Sequence, residues 1–101
     1  MIIILTSIDD KAKAEHIAQA LVEQKLAVCV QISAQGMSVY QWQGKLCKNK
    51  EYYLFIKTDE AHQDKVVVWL EANHPYDTPE IISFNAKASA EYQHWIDYSL
   101  K

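Results

Sequence analysis

The run from Leu46 to Thr58 constrains this chain more than any other segment. It holds neither glycine nor proline, and its residues alternate, with Tyr52, Leu54 and Ile56 on one side and Tyr53, Phe55 and Lys57 on the other. Alternation at period two marks a β-strand, so this is a long strand with apolar or aromatic groups on both faces. Such a strand belongs inside a sheet and needs cover on each side. Gln43-Gly44-Lys45 reads as a tight turn joining it to a second alternating segment, Met37 to Gln43. There Ser38, Tyr40 and Trp42 oppose Met37 and Val39.

The other elements follow from periodicity and punctuation. Met1 to Leu5 reads as a buried first strand, too short for a membrane span or a signal-peptide core and without a basic leader. Ser7 and Asp9 offer N-cap chemistry, with Asp10 in the first turn of a helix carrying Ala14, Ile17, Ala18, Leu21 and Val22 at helical spacing. Ala27 to Ile32 is a strand. Thr58 or Asp59 is expected to cap a second helix running to about Asn73. Val66-Val67-Val68 favours a strand by propensity, but helix-forming flanks and the stripe Val66, Trp69, Leu70 argue for helix. Pro75 and Pro79 hold His74 to Glu80 as a loop. Ile81 to Asn85 is the last strand, and Ser89 caps a terminal helix whose Tyr92, Trp95, Ile96 and Ser99 share a face.

These elements make one α+β domain over residues 1–101. The order βαββαβ plus a C-terminal helix folds, with right-handed crossovers, into a four-stranded antiparallel sheet with two helices on one face, the ferredoxin-like arrangement. The second face then lacks cover. An apolar patch of that size is usually hidden in an interface, so self-association follows from the pattern, though the number of subunits does not.

Several function classes are disfavoured. A formal net charge of −3 argues against nucleic-acid binding. The strand Lys50 to Phe55 lacks the glycines of an RNA-recognition motif. No stretch is long enough to cross a bilayer. The nucleophile-elbow, phosphate-loop and zinc-protease motifs are absent, which argues against an enzyme. Cys29 and Cys47 have no paired-ligand spacing and read as reduced thiols in the cytoplasm.

Leu26-Ala27-Val28-Cys29-Val30, Tyr40-Gln41-Trp42-Gln43-Gly44-Lys45-Leu46, Ile56-Lys57-Thr58 and His74-Pro75-Tyr76-Asp77-Thr78-Pro79-Glu80 together resemble the CutA divalent-ion-tolerance family over nearly the whole chain. The resemblance implies a ferredoxin-like subunit in a homotrimer, with long hairpin strands reaching onto neighbours. It also implies an architecture like that of the PII signalling proteins, a link to divalent metals and copper in particular, and no established catalysis. This sequence has Leu5 where some members carry cysteine, and Asn73-His74 where some carry two histidines. Both departures remove potential copper ligands.

His74 is the leading metal candidate, since it sits on a loop pinned by two prolines with Asp77 and Glu80 near in sequence. A nitrogen and oxygen set suits Cu(II) or Zn(II). The blander reading is a structural role, in which His74 sets the loop at a subunit boundary. Cys29, between Val28 and Val30, is either a second ligand or an apolar filler. Tyr40, Trp42, Glu51, Lys57, Tyr76 and Glu80 are the candidate lining of a cleft between subunits. Glu51 and Lys57 fall on one strand face, so Lys57 either pairs with Glu51 or meets an anionic ligand. Two readings of function stand: a metal-tolerance trimer, or a PII-like module binding a small anion or a partner protein.

Overall fold

In the computed structural model, which describes residues 1–101, the first strand β1 (Ile2–Ile8) lies at the centre of the sheet. It is followed by α1 (Lys11–Glu23), β2 (Cys29–Ile32), β3 (Gly36–Trp42), β4 (Lys45–Thr58), α2 (Gln63–Asn73), β5 (Ile82–Asn85) and α3 (Ala90–Ser99). The strand order is β2-β4-β1-β5 with all pairs antiparallel, which is the ferredoxin-like order. The sheet has a fifth member. β3 stands off this path and pairs only with the first part of β4, from Trp42↔Lys45 to Gly36↔Glu51.

β4 therefore serves two partners in turn. Its second half, Tyr52 to Thr58, pairs with β1, and its first half forms an arm with β3. The molecule is 46 Å long but only 24 by 22 Å across.

The β1–β4 register places Ile2, Ile4, Thr6 and Ile8 opposite Thr58, Ile56, Leu54 and Tyr52 on the face toward the helices. α1 contributes Ala14, Ile17 and Leu21 to the same core, and α2 contributes Val66 and Leu70. Each fully buried aliphatic side chain of this kind is worth about 1.5–3 kcal/mol relative to exposure. The opposite face carries Ile3 and Leu5 of β1, with Phe84, Phe55 and Ile82 beside them. Phe55, Ile82 and Phe84 are exposed at 40%, 50% and 43%. This is the uncovered face that the two-sided pattern of β4 demanded.

Several boundaries differ from the sequence reading: β2 starts at Cys29 rather than Ala27, and β3 spans Gly36–Trp42 rather than Met37 to Gln43. β1 continues through Ser7 to Ile8, so the helix cap is Asp10, whose carboxylate accepts the Lys13 N–H at 2.9 Å. α2 starts at Gln63, because Asp59 closes a separate turn by accepting the His62 N–H at 3.0 Å. β5 starts at Ile82 rather than Ile81. The valine triplet is helical as expected: Val66 is buried while Val68 faces solvent, so burial of one position overrides β-propensity at all three. Ser89 caps α3 as expected.

The arm turns at Gln43 and Gly44, whose φ values of 51° and 77° are both positive. A two-residue hairpin loop with this geometry matches the natural twist of the strands. A Cβ added at Gly44 meets nothing within 4 Å, so the residue is set by backbone conformation alone. Gly44→Ala should lower stability by about 1 kcal/mol in denaturant titration, the cost of a left-handed alanine, while Gly44→Asn should lose less.

Candidate functional site

Pro75 builds the site by ending α2. The residue before proline avoids helical backbone, and His74 takes an extended conformation with φ −73° and ψ 136° while its own N–H still bonds Leu70 O at 2.8 Å. The imidazole is thereby thrown back onto the end of β1. β5 pairs with β1 only as far as Leu5, and beyond that end the carbonyl of Ser7 receives the ring, 2.8 Å from Nε2. The other ring nitrogen, Nδ1, accepts the Tyr76 N–H at 3.1 Å. One nitrogen accepts and the other donates, which defines the neutral tautomer protonated at Nε2.

Tyr76 extends the chain of contacts. Its ring meets the His74 ring edge-on at 4.7 Å between centroids, and its hydroxyl donates to Glu51 Oε2 at 3.0 Å. Glu51 lies on β4 opposite Gly36, at the base of the arm. Gly36 leaves room for Tyr53, since a Cβ there would come to 2.5 Å from the ring and the ring would have to shift. His74 and Glu51 are both buried, at 7% and 5% exposure. Together these groups clasp the His74–Glu80 loop to the sheet at two points.

Burial dominates the electrostatics. It pushes the His74 pKa below the ordinary 6.5, partly offset by the Ser7 carbonyl and Asp9. It raises the Glu51 carboxyl above 4.5, against the Tyr76 hydrogen bond and with added repulsion from Asp9 and Glu80. Burial and Glu51 together drive the Tyr76 phenol upward, so it stays protonated and keeps donating.

The cleft candidates separate into two places. Glu51 and Tyr76 are joined directly, and Glu80, though exposed, contributes to the field at Glu51. Tyr40 and Trp42 stand out on the arm, with Asn49 donating to the Tyr40 hydroxyl. Lys57 shares the open sheet face with Glu51, but six residues of strand hold them about 20 Å apart, so no ion pair forms within a chain. Its ammonium instead lies 5.5 Å from the Tyr92 ring centroid.

Within one subunit the candidate metal ligands His74 and Cys29 are not brought together with further donors. Both nitrogens of His74 are engaged, and no three His, Cys, Asp or Glu side chains converge on a point. Cys29 is half-buried opposite Lys57, a cation that repels a metal ion. The donor set of a single chain does not fit a resident copper or zinc ion. Ser7 and Asp9, read from sequence as N-cap chemistry, were missed as site residues because they lie far from the loop in sequence and act through a main-chain carbonyl and a field.

Two surface cavities measure about 480 and 470 Å³, and the His74–Glu80 loop forms part of the wall of the second. The first is bordered by Met1, Asp59, Glu60 and Asp97, the second by Glu71, Asp77 and Pro79.

Tyr76→Phe removes the only hydrogen-bond donor seen on a buried carboxylate and should cost about 2 kcal/mol in thermal or chemical unfolding. Two pH effects of opposite sign follow from linkage. His74 binds protons more weakly when folded, so its contribution is complete above about pH 6.5 and declines as pH falls below it. Glu51 binds protons more tightly when folded, so Glu51→Gln should be the more stable protein at neutral pH. That advantage should close as pH falls through the raised pKa toward 4.5.

Comparison with known proteins places this geometry. The family model described as CutA1 divalent ion tolerance protein matches residues 2–99. The divalent-cation tolerance protein CutA of Pectobacterium atrosepticum is 36% identical over 101 residues, covering 99% of this chain and 92% of that protein. The crystal structure of CutA from Xylella fastidiosa superposes with a TM-score of 0.94 at 35% identity, covering 99% of this chain and 97% of that one. A CutA from Archaeoglobus fulgidus, described as periplasmic, gives 0.93 at 31% identity with full coverage of both chains. A family match spanning nearly the whole chain, a shared fold and relatives above 30% identity agree: the chain belongs to the CutA1 divalent ion tolerance family.

Proposed function

We propose that this protein serves divalent-cation tolerance as a non-catalytic homotrimer of the cytoplasm, with copper as the cation it answers to. The tolerance role rests on family membership. Assembly rests on one observation: the arm carries apolar groups on both faces, and nothing in its own subunit covers them. Met37, Val39 and Leu46 are exposed at 63%, 57% and 65% on one side, and Tyr40 and Trp42 at 40% and 58% on the other. An isolated two-stranded hairpin is marginal in water, so an arm of this length needs a neighbour to pack against.

Charge supports the same reading. Beyond Glu51 at its base, the arm holds Lys45, Lys48 and Lys50 and no carboxylate, in a chain whose net charge is −3. A basic arm laid on an acidic body of a second copy is electrostatically complementary. Two unpaired cysteines fit a reducing compartment. Since one subunit lacks a resident metal centre, copper is held by groups that only assembly brings together.

Light scattering should give three times the monomer mass, and Trp42→Glu should reduce it to the monomer while lowering the melting temperature. Calorimetric titration with Cu(II) should register binding to the assembled protein and none to Trp42→Glu. In cells lacking their own copy, the wild type should restore growth in raised copper and Trp42→Glu should not. Equal copper binding by the monomeric variant would refute a shared site, and equal growth without either protein would refute the tolerance role.

A further inference from the structure

We infer that the His74–Glu80 loop is an acid-released latch: protonation of His74 breaks its bond to Tyr76 and frees the base of the β3–β4 arm. The latch stands on hydrogen-bond directions and does not depend on subunit number or on metal.

Both bonds of the His74 ring require the neutral tautomer. Nε2–H donates to Ser7 O, and Nδ1 must present a lone pair to the Tyr76 N–H 3.1 Å away. A second proton on the ring can sit only on Nδ1, where it points at that N–H. Two donors then face each other, and the half-buried amide loses its acceptor, which costs more than the bond itself contributes. Tyr76 is also the residue whose hydroxyl reaches Glu51 on β4. Displacing its main chain pulls the phenol off the carboxylate, so one proton opens both fastenings.

The surrounding charges decide how the latch responds. Asp9, from the junction of β1 and α1, faces the ring and favours its protonation. Asp9 and Glu80 also face Glu51. Glu51 takes up a proton in acid too, but a carboxylic acid still bonds a phenol, so its titration stabilises the closed loop and opposes His74. The two groups thus make a graded response in the wild type. Ser7 O is a neutral acceptor and keeps its bond to Nε2–H in either state, so the ring stays seated while the loop beyond it lifts.

The test isolates His74 by using Glu51→Gln, which keeps an acceptor for Tyr76 without a charge. Amide hydrogen exchange is followed from about pH 8 to about pH 5, corrected for intrinsic rates, across the imidazole range. Protection of the Tyr76 amide should fall by up to about tenfold for each pH unit below about 6.5, the ordinary imidazole value, and level off once the seated ring is itself protonated, while amides of β1 paired with β4 hold constant. Nitrogen resonances of His74 in the wild type supply an independent reading. At high pH Nδ1 should carry the signature of an unprotonated acceptor, and its titration should coincide with loss of Tyr76 protection, with a shallower slope than in the variant. Protection that stays flat in both proteins while the ring takes up its proton would overturn the latch. So would loop opening while His74 remains neutral.

Discussion

Everything in this molecule depends on β4 being longer than the core beneath it. Its second half is held by β1 on one side and β2 on the other, with Leu54 and Ile56 fully buried under the helices. Its first half has only β3 for company. A strand cannot change its period along its length, so the same alternation that drives Leu54 into the core continues outward into solvent. The arm inherits two apolar-bearing faces from a strand that must be two-faced to lie in the middle of a sheet.

The helices cover one side of that sheet and leave Phe55, Ile82 and Phe84 on the other. The His74–Glu80 loop closes part of the gap. It reaches around the end of β1, caps the carbonyl of Ser7 and brings Tyr76 to Glu51. The glutamate is therefore a consequence of the arm's position. It sits where the covered core gives way to the exposed hairpin, and a buried carboxylate there is tolerable only with a phenol donating to it. The same contacts set the signs of the perturbed pKa values. Desolvation depresses the imidazole and elevates the acid, which moves two groups of very different ordinary pKa toward each other.

His74, Tyr76 and Glu51 are spent on fastening a loop, and no three potential metal ligands of one chain converge. The apolar groups of the arm stand exposed on both of its faces.

The sequence by itself determined the element types and most of their order. The alternation of Leu46 to Thr58, the helical spacing from Ala14 to Leu21, the turn at Gln43 and Gly44 and the cap at Ser89 are local signals, and each was legible because local geometry decides it. The need for cover on both sheet faces was legible too, since it follows from strand period alone. What only the tertiary structure decided was contact between distant segments. His74 was readable as a loop residue of consequence, but its partner Ser7 lies 67 positions away, and Tyr76 and Glu51 are separated by 25. The shared strand face of Glu51 and Lys57 suggested a pair that strand length forbids. The start of α2 and the cap of α1 shifted because Asp59 and Asp10 were chosen among neighbouring polar residues by how far β4 and β1 remain paired. Period and propensity act within a few residues, whereas the partner of a buried polar group is whatever the folded chain brings within about 3 Å.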